Sequence, residues 1–566
     1  MKTTKNIARL AVTAGLTAAL SFGGVMAPVT MAFAEGTTTA NGSVTIANVE
    51  GNHTEFDGYQ IFKADVATVE GKTVVSNITW ANGSVKVAVE GVIKNEEPTY
   101  KGKTAQDAAD WITSKVTGTN DAYCVGPDNI AYKIAAAVDD LTDKKTTSAG
   151  VASGLEHGYW LFVTDAGTIG DGEAGTSPIF TVVGSTPVNV NEKTGIPTVE
   201  KKIVSDADDK EHDAADSQIG QDVTYNLYGT VAENFDKYDT YFYEFSDQIS
   251  KGLTLQTGAK IYLYKNMSDA KGDLTRAKGT DITAYFKEET PAEAAEDGSK
   301  TTTWTCDNLK KVSDVTKDSY IVVSYKAQIN KDAVVAGTEG NENAVTLNYS
   351  NNPMTSERGE TKPDTVKDYT YGLKINKVDL GTEAALDGAE FTIQATGADD
   401  GASKSLYVQK DGSLGSDPWK FVTANGGVIK VTGLDAGTYT VTEVSAPSGY
   451  AKVDPFTFEI KPSMNADDPG AGLTELTGVL TTGQNDKVIA GLTDGDSGDN
   501  KLTLKSGSEK TDGIFNITVG DTKQVGLPLT GLNGVTFTWI AGGAVLCIGV
   551  AHLIRSRKQA EESEQE

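Results

Sequence analysis

Cysteine is nearly absent: the 566 residues hold three. Cys547 lies in an apolar run near the C-terminus, and Cys124 and Cys306 stand far apart in the chain. A disulfide framework is therefore excluded as the source of stability. Histidine is almost as scarce, with only His53, His157, His212 and His552. So few His and Cys leave no cluster with metal-ligand spacing, and neither a metal nor a cofactor is expected. No Ser/His/Asp set, zinc motif or phosphate loop occurs, which weakens any reading of the chain as an enzyme. Basic residues are outnumbered: Lys and Arg total 50 against 78 Asp and Glu, a net charge of -28. Phosphates would repel such a surface, so nucleic acid is excluded as a partner. Leu is sparse, while the 60 Gly and the many Thr and Val favour strands and turns over long helices.

What is present begins with the two ends. Residues 1–34 run from Lys2, Lys5 and Arg9 through an apolar stretch to Ala32-Phe33-Ala34. That order is a signal peptide cut after Ala34. Pro28 and the small residues near the cut disfavour a retained membrane helix. At the other end Leu527-Pro528-Leu529-Thr530-Gly531 precedes an apolar run over 535–554, then Arg555, Arg557 and Lys558. About 20 apolar residues span a bilayer as one helix, and the basic cluster stays in the cytoplasm.

Between the ends the text divides in three. Residues 35–192 open with strand-like Ser43–Ile46 and Tyr59–Phe62. They contain two helical segments, Ala105–Val116 and Ile130–Leu141, and a further strand over Gly158–Val163. A polar, Gly- and Pro-bearing linker follows around Asn191–Pro197. Two further units, 196–366 and 367–526, show short strand-like runs broken by Gly, Asp and Asn, the pattern of β-sandwiches.

Several stretches resemble a known family. The LPLTG pentapeptide with its helix and basic tail, residues 527–566, resembles a sortase cell-wall sorting signal. LKINKVDLGTEAALDGAEFTI (373–393) and YTVTEVSAPSGY (439–450) resemble a Cna B-type domain. PTVEKKI (197–203), YEFSDQISKGLTL (243–255) and GNENAVTLNYSNNP (340–353) resemble the middle domain of backbone pilins. The chain is thus identified as similar to the major pilins of Gram-positive bacteria, the shaft subunits of sortase-assembled fimbriae. The resemblance implies a mainly β protein of tandem immunoglobulin-like (Cna-type) sandwiches, the first with helical insertions, with a C-terminal transmembrane helix in the precursor. It implies a secreted protein attached covalently to the cell wall and partnered with copies of itself. Pilus-specific and housekeeping sortases, minor pilins, peptidoglycan and host surface ligands complete the implied partners. A sortase thiolate would attack the Thr530 carbonyl, with Gly531 as the leaving amine, so the chain is a substrate and not an enzyme. A monomeric wall-anchored adhesin and a minor pilin are the alternatives.

In that family a Lys amine and an Asn side chain form an isopeptide bond with help from a buried Asp or Glu. Burial strips the charge from a Lys and makes it a nucleophile, and pushes a carboxyl toward its protonated, proton-donating form. In the second unit, strand alternation puts Lys201 in phase with Val199 and Ile203, Asp247 with Phe245 and Ile249, and Asn343 with Val345 and Leu347. Lys201 is assigned as nucleophile, Asp247 as acid and Asn343 as electrophile, with Lys202, Asn341 and Asn348 as competitors. In the third unit Glu443 shares a face with Tyr439 and Val441. There the resemblance points to Lys374 and Asn516, although Leu373, Ile375, Phe515 and Ile517 lie in the opposite phase. The first unit offers only Asp165 at the acid position, and no crosslink is expected in it. The amine that receives the next subunit resembles the Lys of a Val-x-Val-Tyr-Pro-Lys motif. Here Val188-Asn189-Val190-Asn191-Glu192-Lys193 supplies Lys193, with Lys201 and Lys202 in reserve.

Overall fold

The computed structural model describes residues 41–524, apart from 70–71, 116–129, 193, 292, 336–339, 399–404, 468–471, 483–490, 493–500 and 506–512. Residues 1–34, read above as a signal peptide, the LPLTG segment with its apolar run, and Lys193 lie outside the described residues. The protein is mainly β, with sandwiches in tandem and few helices.

In the first unit, a three-stranded sheet places Gly42–Ala47 between Val151–Leu155 and Val188–Asn191, the last pairing in parallel. A five-stranded sheet built around Phe56–Val69 and Gly158–Thr164 faces it. Val44, Phe56, Trp160, Phe162 and Val190 fill the space between. The outer side of the second sheet is covered by three helices, Gly83–Glu96, Ala105–Lys115 and Ile130–Val138. Two of these are the helical segments read from the sequence. The third, Gly83–Glu96, escapes that reading because Val85, Val87, Val89 and Val92 are strand formers. It forms because Asn82 caps its N-terminus, accepting from the Val85 amide at 2.9 Å. Its Val85, Val89 and Ile93 recur at helical spacing and are buried.

The second unit is two facing seven-stranded sheets. One centres on Val199–Val204, Asp222–Thr230 and Tyr320–Ile329; the other on Asn341–Ser350 and Tyr243–Ile249. Tyr225, Phe245, Trp304, Val323, Leu347 and their neighbours form the core between them. In the third unit, Tyr371–Asp379 lies in a five-stranded sheet between Val428–Leu434 and, in parallel, Ile514–Lys523. An eight-stranded sheet containing Glu390–Ala398, Gly437–Ser445 and Phe456–Met464 covers it.

The units interlock at both junctions. Ala174, carried on a loop of the first, is buried in the core of the second, while Met354 of the second packs against the core of the first. Tyr349 donates to the Glu173 carbonyl at 3.3 Å, and Thr194 to the Gly175 carbonyl at 2.9 Å. At the other junction Ala214 enters the core of the third unit. The Gln218 amide nitrogen donates to the carbonyls of Gly412 and Gly433, the latter at 2.7 Å, and its oxygen accepts from the Asp435 amide at 3.2 Å. Gly433 sits at φ +87°, where a Cβ would fall 2.1 Å from the Ile219 side chain, so only glycine lets the two units close.

Candidate functional site

Two buried clusters of polar side chains stand out, one inside each of the last two sandwiches. In the second unit, alternation turns Lys201 inward between Val199 and Ile203, Asp247 inward between Phe245 and Ile249, and Asn343 inward beside Val345. Lys201 comes from one sheet; Asp247 and Asn343 come from the facing sheet, on adjacent antiparallel strands where Ile249 opposes Asn343. All three are at most 1% exposed. The Lys201 amine donates to Asp247 and, at 3.0 Å, to the phenol oxygen of Tyr325. Tyr325 donates to the other Asp247 oxygen at 2.5 Å and accepts from Asn343 Nδ2 at 2.7 Å. Among the described residues, the Asn343 carbonyl oxygen has no hydrogen-bond partner. The rings of Tyr225 and Trp304 stand 5.5 and 5.3 Å from that of Tyr325 and wall the site.

Burial pushes the Lys201 ammonium below its ordinary value, and the neighbouring Asp247 charge only partly opposes this. Tyr325 is held well above its ordinary value by burial, and by Asp247 in second place, so it keeps its proton. The arrangement can present an amine stripped of water beside a carboxamide carbon, with a carboxyl and a phenol in reach to carry protons.

Of the competing residues, Lys202 points to the other face and bonds Asp213 at 2.5 Å. Asn341 is buried but spends its amide on the backbone of Val334 and Asp368. Asn348 faces Glu244 at 3.0 Å.

The third unit departs from the sequence reading in two of its three residues. Glu443 is buried, but the lysine that reaches it is Lys377, not Lys374. Lys377 Nζ lies 3.2 Å from Glu443 Oε1 and donates to Asp521, and all three side chains are fully buried. Lys374 and Asn516 are register partners on neighbouring parallel strands, half-buried on the opposite face of that sheet. The cause is the period of two. Leu373, Ile375 and Lys377 share the core face, as do Phe515, Ile517, Val519 and Asp521. Burial pushes both carboxyls upward, Glu443 and Asp521 alike, with Lys377 pulling each back in part. Val453 donates its amide to Glu443 Oε2 at 2.8 Å and fixes its orientation. Sequence reasoning missed Lys377, Asp521 and Tyr325. For the first two the alternation just described was the available signal. A tyrosine at an inward strand position reads simply as core.

Asp165 in the first unit caps a turn, accepting from the Gly167 amide at 3.0 Å. Lys201 is too deeply buried to serve as an intersubunit acceptor. Among the described residues, no group of His, Cys, Asp and Glu could hold a metal ion.

Comparison with known proteins supplies an independent reading. The model of the Gram-positive pilin backbone subunit 2, Cna-B-like domain, matches residues 219–353. That of the SpaA prealbumin-like fold domain matches 371–468. The first span contains Asp247, Tyr325 and Asn343, and the second contains Lys377 and Glu443. The chain is also similar to the T6 backbone pilin of serotype M6 Streptococcus pyogenes, at 17% identity over 85% of this chain and 98% of that one, TM-score 0.48. The major pilin SpaD of Corynebacterium diphtheriae gives 17% identity over 86% and 98%, TM-score 0.45. The major pilin SpaA of the same organism gives 12% over 85% and 100%, TM-score 0.42. A search of curated protein sequences returns no match. The chain carries a Gram-positive pilin backbone domain followed by a prealbumin-like domain.

Proposed function

We propose, starting from a chain that carries those two domains, that it is the shaft subunit of a covalent Gram-positive pilus. The observation that carries this reading is the buried set Lys201, Asp247, Asn343 and Tyr325. A fully buried Lys and Asp gain little net stability as an ion pair. Beside a buried carboxamide they make sense as reactants. Neutral Lys201 Nζ attacks Asn343 Cγ, a C–N bond forms, and the Asn343 nitrogen leaves as ammonia carrying the proton relayed from the lysine through Asp247. Lys377, Glu443 and Asp521 support a second bond of different stoichiometry. Protonated Asp521 is attacked at Cγ by Lys377, Glu443 relays the proton, and water leaves. Each bond ties a first strand of its sandwich to a late one.

Assembly follows from the sequence of the two ends. A sortase cleaves after Thr530 and transfers the Thr530 acyl group to Lys193 of another copy, giving a head-to-tail contact that does not close and so makes a filament. Wall attachment, minor pilins and adhesion to host surfaces belong to the same reading.

An intact-mass measurement on the folded ectodomain, with tryptic mapping, tests the crosslinks. The expected deficit is one ammonia and one water, with Lys201–Asn343 and Lys377–Asp521 branched peptides. A mass equal to the uncrosslinked sequence leaves a wall-anchored adhesin as the better reading.

A further inference from the structure

Lys201 reaches Asn343 from a strand near the edge of its sheet. Val199–Val204 pairs along Asp222–Thr230, with Lys201 opposite Leu227. On its other side Glu211–His212 meets only Ile203 and Val204, and among the described residues no strand pairs with Lys201 there. The backbone amide of Lys201 donates instead to a side chain of the facing sheet, Asp364 Oδ2, at 2.6 Å. Asp364 opens the strand Asp364–Tyr369, which runs antiparallel beside Asn341–Ser350. In that register Asp364 opposes Val345 and Val366 opposes Asn343. One side chain thus ties the backbone that carries the amine to the strand beside the one that carries the carboxamide.

Among the described residues Asp364 forms no ion pair; Lys202, next to Lys201 in the chain, is spent on Glu200 at 3.2 Å and Asp213 at 2.5 Å. Burial holds the Asp364 carboxyl above its ordinary range. Burial also pushes the Lys201 ammonium down, and the charge of Asp364, after that of Asp247, opposes this. The charge of Asp364 therefore works against a neutral nucleophile, and what the residue contributes is geometry. A strand held on one side opens more easily than one held on both, and misplacement by an ångström costs up to about a hundredfold in rate. The third unit supplies the contrast. Lys377 lies on a strand paired with Val428–Leu434 on one side and Ile514–Lys523 on the other, and its amide donates to the Gly427 carbonyl at 2.7 Å. No side-chain tie is needed there.

We propose that Asp364 is a positioning residue for crosslinking in the second unit: its carboxylate holds the backbone of Lys201 against the facing sheet and so sets the amine within reach of Asn343. The inference rests on the reading of Lys201 and Asn343 as reactants. In their step the Lys201 Nζ–Asn343 Cγ bond forms and the Asn343 nitrogen leaves as ammonia; Asp364 acts on it only through the backbone of Lys201.

The test follows both crosslinks in one sample. The ectodomain with all three units is made in a short pulse of cell-free translation with isotope-labelled lysine, and the Lys201–Asn343 and Lys377–Asp521 branched peptides are quantified during the chase. Asp364→Ala is expected to slow the first bond between about tenfold and about a hundredfold and to leave the second unchanged. Asp364→Asn, which keeps the acceptor oxygen and drops the charge, is expected to restore the native rate or exceed it. Leu263→Ala opens a cavity in the same core and is expected to leave the rate unchanged. Melting temperatures are compared in an Asn343→Ala background, where the bond cannot form. If Asp364→Ala does not melt cooperatively there, Asp364→Ser, which shortens the arm, decides by the same readings. A native rate in the shortened variant overturns the proposal, as does an Asp364→Asn chain as slow as it. Equal slowing by Leu263→Ala for an equal loss of melting temperature also overturns it, since that is what a merely structural residue gives. A native chain without the Lys201–Asn343 peptide overturns the reading of those reactants and this inference with it.

Discussion

The phenol of Tyr325 accepts from Lys201 and Asn343 and donates to Asp247, so it fixes where amine, carboxyl and carboxamide stand relative to one another. Tyr325→Phe keeps the ring stacking and removes that hub. Crosslinking of the second unit is expected to slow at least about tenfold, read as the time course of the ammonia deficit after refolding. In the third unit the choice between two lysines three residues apart is equally sharp. Lys377→Ala is expected to abolish the water deficit, while Lys374→Ala leaves it intact, as judged by mass spectrometry. How far such sites are legible in a sequence depends on alternation. Lys201, Asp247 and Asn343 each sit in phase with aliphatic or aromatic neighbours, and that phase is what faces them together across the sandwich. Lys377 and Asp521 carry the same signal, but motif resemblance favours Lys374 and Asn516 over it. Tyr325 carries no signal, since a buried tyrosine and a core tyrosine have the same sequence pattern.

At the scale of elements, the second junction buries Asp368 and Asp435 with no cation paired to either among the described residues. Asp368 is held well above the ordinary carboxylate range by burial, in spite of bonds from Ser217 at 3.2 Å and Tyr225 at 3.3 Å, and with Asp216 nearby. Asp435 is raised by burial too, with Asp216 and Asp206 reinforcing it. A carboxyl whose folded value is raised binds its proton more tightly in the native state. Its contribution is fully present below the unfolded value and is lost as pH rises through the folded one, by about 1.4 kcal/mol per pH unit per group within that window. The melting temperature of the ectodomain is therefore expected to fall as pH rises above the ordinary carboxylate range of about 4. Asp368→Asn, which keeps an oxygen for Ser217 and Tyr225, is expected to flatten that fall. Gly433→Val is expected to force the same junction apart, since it strains a left-handed residue and collides with Ile219. A cost of about 1–3 kcal/mol would appear as new protease cleavage between the last two units. The sandwiches themselves were readable from Gly, Asp and Asn punctuation between short apolar runs. The Gly83–Glu96 helix was not, because its valines carry strand propensity while cap and spacing decide otherwise.

For the whole molecule, Lys377 and Asp521 are 144 residues apart in sequence, and a bond across such a loop removes about 5 kcal/mol of unfolded-state entropy. Single-molecule stretching of the ectodomain from its two ends is expected to release length from the first unit and from the stretch between Asn343 and Lys377, and none from within the two closed loops. In Lys201→Ala the second unit is expected to unravel as well, adding about 3.3–3.6 Å for each residue freed.

The position of residue 193, after the first unit's last strand and before the second unit's first, decides which parts of a shaft would carry load. In the proposed polymer a tug arrives at Lys193 from one neighbour and leaves at Thr530 toward the other. It traverses only the two sandwiches with buried Lys–acid sets. The first unit hangs beside this line of force like a flag on a rope, so evolution can vary its helices, loops and surface without weakening the fibre.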